Sequence, residues 1–495
     1  MAEENAPEAI RVFSMNCWGL KYIAKHRVAR LNEVSLRIAR ASPAHEIVAL
    51  QEFWVYADYL NLRKKTSSVL PYGKFYFSGA IGGGLVILSK WPIETSSMFG
   101  YPLNGRPTAF WRGDWYVGKG VACASIRHPS GRLIEVFNTH LHAPYEVNDT
   151  YLCHRTAQAW EIAKLMRGAV QRGSTVIGAG DFNMIPPSLA HRLISTHGLV
   201  SDAWLSAYPT TPNVAPPKST AKSNIENLGV TCDSVLNTWR METPTLPSPE
   251  TLDPRGKRLD YVFHSPGTSA VREVTVGMTE PMSMPSQTGG AGGAGGYCSL
   301  SDHFSVEVSL SLEPSLAQQQ ALAVARGPAK VPEAMLVDVA GESRASETLL
   351  TGQAGESVYE RYLPTRITDE ILALVATYTK RQKGEYFWRI FHFWASLPVL
   401  VACHVAVWWS PHNGVSFALM FVAWAVAVSG VLDGLIGFLF MGSELRALRE
   451  FEEEMKMYRQ LAVAESNESV KQGSMRSGNG GYKNGGHNGS GQLLL

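Results

Sequence analysis

STVIGAGDFN, residues 174–183, is the stretch from which the rest of the chain can be read. It is a short apolar run that ends on a carboxylate, Asp181, and an amide, Asn183, which reads as a buried strand delivering polar groups at its end. Working outward, the same pattern recurs in IRVFSMNCW (10–18), EIVALQEF (46–53), GGLVILSKWPI (83–93), LIEVFNTHLH (133–142), RLDYVFHS (258–265) and HFSVEVSLSL (303–312). Gly, Pro and Asn turns separate these runs, and Val28 to Ala41 and Leu152 to Arg172 carry apolar residues at helical spacing. The spacing predicts one layered α/β domain over residues 11–312. Pro281 to Gly296 is a Gly-rich insert just before the last strand, expected to lack fixed structure.

The strand ends share one chemistry. Asn16, Glu52, His140, Asp181 with Asn183, Asp260, and Asp302 with His303 each follow or begin such a run. A lone carboxylate after a strand is usually a turn or cap residue, so the weight lies in their joint occurrence. Phosphodiester hydrolysis requires a hard cation for the developing charge, a base for water and donors for the non-bridging oxygens. Glu52 and Asn16 are oxygen donors of the kind Mg²⁺ accepts, with Mn²⁺ as the other candidate. His303 beside Asp260 suits a general base with a fixed tautomer, leaving Asp181 and Asn183 to orient water and phosphate.

Composition narrows the alternatives. Lys and Arg total 45 against 43 Asp and Glu, a net charge of +2 that provides no global attraction to nucleic acid. Six scattered cysteines form no CxxC pair and read as reduced thiols. The acidic start of the chain has no apolar run resembling a signal peptide, so the domain is expected in the cytosol.

Together these residues resemble the endonuclease/exonuclease/phosphatase superfamily. MNCWGL, LQEFW, GGGLVILSKWPI, THLHAPY and the Cys232 to Trp239 stretch resemble its neutral sphingomyelinases and the fungal inositol phosphosphingolipid phospholipases C. The resemblance implies a four-layer DNase-I-like β-sandwich flanked by helices, acting on phosphosphingolipids and activated by anionic phospholipids such as phosphatidylserine. It implies that Glu52 binds Mg²⁺, that His303 is the base, and that His140 and Asn183 steady the phosphate. It also implies a regulatory Asp–Lys pair, matched by Asp114 and Lys119 in GDWYVGKG, which by residues alone reads equally as a hairpin ion pair. The neighbouring Phe110, Trp111, Trp115 and Tyr116 suit either a bilayer interface or a packed core. A superfamily nuclease and a catalytically inactive membrane adaptor are the competing functions.

Beyond residue 312 the chain reads as a linker (313–362), a juxtamembrane amphipathic helix (363–385), two apolar spans (386–409 and 415–442), a cytosolic helix (443–462) and a disordered tail (463–495). The linker and the tail are polar. Lys380, Arg381 and Lys383 flank the first span and are expected to contact anionic lipid; with Arg446 and Arg449 they place both ends on the cytosolic side. Endoplasmic reticulum is the first expectation for the membrane and the mitochondrial outer membrane the second. Asp433, between Gly430 and Gly434, calls for a partner or close helix packing, and the spans offer a route to homo-oligomers.

Overall fold

The computed structural model describes residues 9–146, 148–240, 247–284, 296–312 and 362–478, with side chains up to residue 464. Its strands are β1 (Ala9–Asn16), β2 (Ile47–Gln51), β3 (Tyr72–Tyr76), β4 (Leu85–Ser89), β5 (Ile93–Gly100), β6 (Gly120–Arg127), β7 (Leu133–His140), β8 (Thr175–Asp181), β9 (Ser201–Asp202), β10 (Asp260–His264), β11 (Ser269–Gly277), β12 (Met282–Ser283), β13 (Tyr297–Cys298) and β14 (Ser305–Leu312). The helices are α1 (Arg27–Arg40), α2 (Tyr56–Thr66), α3 (Asp114–Val117), α4 (Leu152–Gln171), α5 (Leu189–His197), α6 (Ala203–Ala207), α7 (Ala221–Leu228), α8 (Thr365–Trp408), α9 (Asn413–Leu435) and α10 (Gly442–Gly478).

Two six-stranded sheets, ordered β11-β14-β1-β2-β4-β3 and β5-β6-β7-β8-β10-β9, stack face to face. Side chains alternate across each strand, so β1 sends Ile10 and Val12 inward to meet Val136 and Ile177 of the other sheet. It sends Phe13 and Met15 outward beneath Leu31, Val34 and Ile38 of α1. The second sheet is covered in turn by Ala159, Ile162 and Met166 of α4 and Leu193 of α5. The result is the expected four layers of helix, sheet, sheet and helix.

The parallel pairs β1/β2 and β7/β8 place their chain-terminal ends at one rim, and antiparallel β10 starts opposite the end of β8. Gly180 (φ +150°) lets β8 approach β7, where an added Cβ would lie 2.0 Å from the Thr139 carbonyl oxygen.

Several expectations change at the C-terminal end. The amphipathic stretch and the first span are one continuous helix, α8, and its apolar face is turned onto protein. Ile367, Ile371, Val375 and Tyr378 join the α4 core together with Leu448, Phe451, Met455 and Tyr458 of α10. Helical spacing is the same whether the apolar stripe meets lipid or protein, which is why sequence cannot separate the two. Helix α10 continues to Gly478, past the point where a disordered tail was expected. Residues 463–472 contain neither Pro nor Gly to break it. The linker expectation and residues 479–495 lie outside the described residues, as does most of the Gly-rich insert. Its base is ordered, because Met282–Ser283 pairs with Tyr297–Cys298.

Helices α8 and α9 are long and apolar enough to cross a membrane, and only 11% of each apolar window is buried. A soluble core helix of that composition would be covered. The two pack on each other: an added Cβ at Gly430 would meet Ser396, and one at Gly434 would meet Phe393. The small-residue stripe is therefore used within the chain. Asp433 is paired with Arg389, and its other oxygen lies 2.7 Å from His392 Nδ1. A six-residue π-helical segment, Ile436–Met441, then leads into α10.

Candidate active site

Seven expected residues meet at the strand-end rim. Asn16 Nδ2 donates to Asp181 Oδ2 at 2.9 Å and to Glu52 Oε1 at 3.2 Å. His303 Nδ1 lies 2.8 Å from Asp260 Oδ2, which also accepts from Thr231 Oγ1 at 2.6 Å. His140 Nε2 and His303 Nε2 approach Asp181 Oδ2 from 3.5 Å and 3.8 Å. Asn183 donates its backbone N–H to Asp181 Oδ1 and its side-chain amide to the Leu141 carbonyl at 3.0 Å.

The backbone aims these groups. Glu52 (φ +54°), the first residue after β2, and Asn183 (φ +46°), the second after β8, are in the left-handed region, an uncommon conformation for residues with a Cβ. A single left-handed residue reverses the outward strand path and points its side chain back across the rim. Behind Glu52, Gln51 Nε2 donates to Asn138 Oδ1 at 2.8 Å, tying the two sheets together under the site.

Electrostatics follow from burial. Burial raises Glu52 above the ordinary carboxylate range, Asp302 adds to the rise, and the Asn16 hydrogen bond opposes it. Burial raises Asp181 as well, although His303 pulls the other way. Burial keeps His140 neutral, with its value well below 6.5. For His303 burial disfavours charge, but Cys232, Asp260 and Asp181 outweigh it and lift the imidazole well above 6.5. Burial also raises the Cys232 thiol, so that sulfur is neutral near pH 7 and the two carboxylates carry the attraction.

Glu52 Oε2 is buried without a hydrogen-bond partner. An anionic oxygen left bare beside two further carboxylates suits a hard divalent cation, so the donors fit a metal. Asp181, Asp260 and His303 also offer ligand atoms within 4.8 Å of one another. The Asn16 amide nitrogen faces Glu52, while its oxygen accepts the Trp18 N–H at 3.0 Å. The Asn16 amide thus bridges the Glu52 and Asp181 carboxylates. Asp302 stands beside the cluster, with Arg240 Nη2 3.8 Å from its Oδ2.

Asp114 and Lys119 are buried and paired at 3.3 Å. Asp114 opens the one-turn helix α3 and Lys119 lies two residues past its end, so the ion pair spans a helical turn, not a hairpin. Burial would raise Asp114, but Lys119 and His142 hold it below the usual carboxylate value. Lys119 Nζ donates to the Leu141 carbonyl at 3.2 Å, the same oxygen that accepts from Asn183, so the pair touches the site through one backbone group. Trp115 packs edge-on against Phe440 of the π-helical segment at 4.7 Å, whereas Phe110 and Trp111 are exposed. Lys380, Arg381 and Lys383 are exposed on α8, outside the catalytic cluster.

Sequence reasoning passed over Thr231, His142 and Tyr145. Tyr145 donates to Asp114 Oδ2 at 2.5 Å, and His142 Nε2 lies 3.7 Å from the same oxygen. Both lie in THLHAPY, a motif singled out only for His140.

The family model described as "Endonuclease/Exonuclease/phosphatase family" matches residues 13–303. The Schizosaccharomyces pombe protein named inositol phosphosphingolipids phospholipase C is 41% identical over 460 residues, 92% of this chain and 95% of that protein. Its Saccharomyces cerevisiae namesake is 31% identical, covering 92% and 91%. Human sphingomyelin phosphodiesterase 2 is 37% identical over 197 residues, 40% of this chain and 46% of that one. The chain thus belongs to the endonuclease/exonuclease/phosphatase family, on the branch of the inositol phosphosphingolipid phospholipases C and neutral sphingomyelinases.

Proposed function

We propose that this protein is a Mg²⁺-dependent phospholipase C that cleaves phosphosphingolipids to ceramide and a phosphorylated headgroup. The observation that carries the reading is the rim itself: a bare buried carboxylate oxygen on Glu52 beside an imidazole held by Asp260. A divalent cation on Glu52 would neutralise charge developing on the phosphodiester and offset the carboxylate field that keeps the proton on His303. Asp260 orients His303 Nε2 toward the cleft, where it takes a proton from the attacking water. Asp181 positions that water between the two imidazoles. Asn183 and neutral His140 stand where the non-bridging oxygens need donors.

Two proposals concern regulation and placement. The Asp114–Lys119 pair governs access to the site, since its release would free the Leu141 carbonyl that Lys119 shares with Asn183. Helices α8 and α9 span an endoplasmic reticulum membrane with the hydrolase domain on the cytosolic face. Lys380, Arg381, Trp388 and Arg389 line a hollow of about 900 Å³ together with Glu385 and Asp433, which pair with Arg381 and Arg389, so the lining keeps a net positive charge suited to an anionic headgroup such as that of phosphatidylserine. The small-residue stripe is spent on α8–α9 packing, which removes the observation that favoured homo-oligomers through it.

Purified full-length protein in mixed micelles is expected to release headgroup from inositol phosphoceramide or sphingomyelin with Mg²⁺, faster as phosphatidylserine is added, and not in EDTA. Release from neither lipid would end this reading, and nicking of plasmid DNA under the same conditions would favour the nuclease. Protease added to intact microsomes is expected to digest the domain before residue 312; complete protection would reverse the orientation.

A further inference from the structure

The Asp114–Lys119 pair is held from a third side by a residue with no part in the chemistry at the rim. Tyr145 Oη donates to Asp114 Oδ2 at 2.5 Å, while Lys119 Nζ lies 3.3 Å from the other oxygen. His142 does not share that task. Its Nδ1 lies 2.9 Å from the Ala143 carbonyl oxygen and so carries a proton toward it, and its Nε2 stands 3.7 Å from Asp114 Oδ2, outside hydrogen-bond reach. Burial, Asp114 and Glu52 all push the Tyr145 hydroxyl well above its ordinary value, so it keeps its proton and remains a donor.

These contacts close a ring. From Tyr145 the path runs to Asp114, to Lys119 Nζ, to the Leu141 carbonyl at 3.2 Å, and back along the chain through His142, Ala143 and Pro144. Asn183 hangs on the same carbonyl at 3.0 Å, and the Leu141 N–H donates to the Asp181 carbonyl at 2.9 Å. The amide expected to meet the phosphate and the strand end that carries Asp181 are thus fastened to one side of the ring, and Tyr145 closes the other. Gly105 (φ +88°) presses the chain before α3 against it: an added Cβ would lie 3.0 Å from His142 Nε2 and 3.4 Å from Asp114 Cβ.

We propose that Tyr145 is a positioning residue for the reaction: by completing this ring it fixes the Leu141 carbonyl and, through it, the Asn183 amide that donates to the phosphate. The inference rests on the phospholipase C reading above and adds a residue to it. Packing does not account for a tyrosine here, because the residue is 46% exposed and a phenylalanine would bury the same ring. What the hydroxyl adds is one charge-assisted hydrogen bond to a buried carboxylate. Without it Asp114 Oδ2 is left bare in a buried site, a cost the carboxylate relieves by turning toward Lys119 or toward solvent. Either movement draws the ammonium off the Leu141 carbonyl and lets the Asn183 amide drift. A drifting donor still binds the ground state, but it no longer meets the charge that develops in the transition state.

The test compares full-length wild type with Tyr145→Phe, Asp114→Asn and the double variant, in Mg²⁺ mixed micelles of inositol phosphoceramide and of sphingomyelin. Tyr145→Phe is expected to lower kcat ~10-fold, the scale of one charge-assisted hydrogen bond, with KM unchanged within about twofold. The double variant should be no slower than Asp114→Asn alone, because the hydroxyl acts only through that carboxylate. Hydrogen exchange reads the ring without turnover. Amides of residues 113–119 and 141–145 should exchange faster in Tyr145→Phe, while the thermal midpoint and the exchange of other segments match wild type. An unchanged kcat, effects that multiply in the double variant, or unaltered exchange in both segments overturns the role of Tyr145 and leaves the phospholipase C reading intact. Wild type that cleaves neither lipid would instead refute that reading.

Discussion

Glu52→Gln in the full-length protein is expected to lose at least ~10²-fold in turnover while melting at a higher temperature than wild type in EDTA. The two effects share one cause. Glu52 is buried, one oxygen has no partner, and Asp302 and Asp181 stand nearby. Its carboxyl value is raised on folding, so the stability it contributes is complete below the unfolded value and is lost as pH rises through the folded one. At pH 8 the ionised group therefore opposes folding, and a neutral amide of the same shape relieves that cost. Saturating Mg²⁺ should reverse the order of the melting temperatures, because wild type gains binding energy that the amide forgoes. Turnover within tenfold of wild type, or a lower midpoint in EDTA at pH 8, would remove Glu52 from the metal-binding role.

His303→Ala is expected to cost at least ~10²-fold in kcat/KM, the scale on which a positioned general base acts. Asp260→Asn is the more informative change. It keeps the shape of the group 2.8 Å from His303 Nδ1 but removes one of the charges that lift the imidazole. The His303 value then falls. A base must be neutral to act, so the acid limb of the rate profile should move to lower pH while the plateau drops, as the amide no longer fixes the tautomer. A limb that stays in place or moves upward would exclude His303 as the titrating base. Thr231 gives a milder control, since it also hydrogen-bonds Asp260 Oδ2 but carries no charge.

The site was legible where an apolar run ended on a polar residue. Asn16, Glu52, His140, Asp181 and Asp260 all sit at strand ends because a buried strand tolerates such groups only at its rim. The exposed strands left no such trace. β5 (IETSSMFG) is almost wholly exposed, and β11 (SAVREVTVG) alternates too weakly to signal burial. The left-handed backbone at Glu52 and Asn183 is equally silent, since neither residue type announces it. The direction of the amphipathic stretch from Ile367 was illegible for another reason: its partners are distant in sequence. Tyr378 OH accepts from Arg106 Nε at 3.2 Å and Gln382 Nε2 at 3.0 Å, lies 3.3 Å from His154 Nε2 and donates to Glu444 at 2.8 Å. No local pattern encodes that meeting.

That meeting has a consequence for how the chain is made. Trp160 on α4 donates to Glu454, which leaves the ribosome 294 residues later, and Lys164 binds the same carboxylate. At ordinary synthesis rates of ~5–20 residues per second, the two sheets can close many seconds before Glu454 exists. The outer face of α4 must wait, with Trp160 and its apolar neighbours uncovered, until the second apolar helix has been completed and α10 can return. A nascent chain stalled before α10 is therefore expected to keep that apolar face exposed, and its last act of folding comes after its apolar helical hairpin is built.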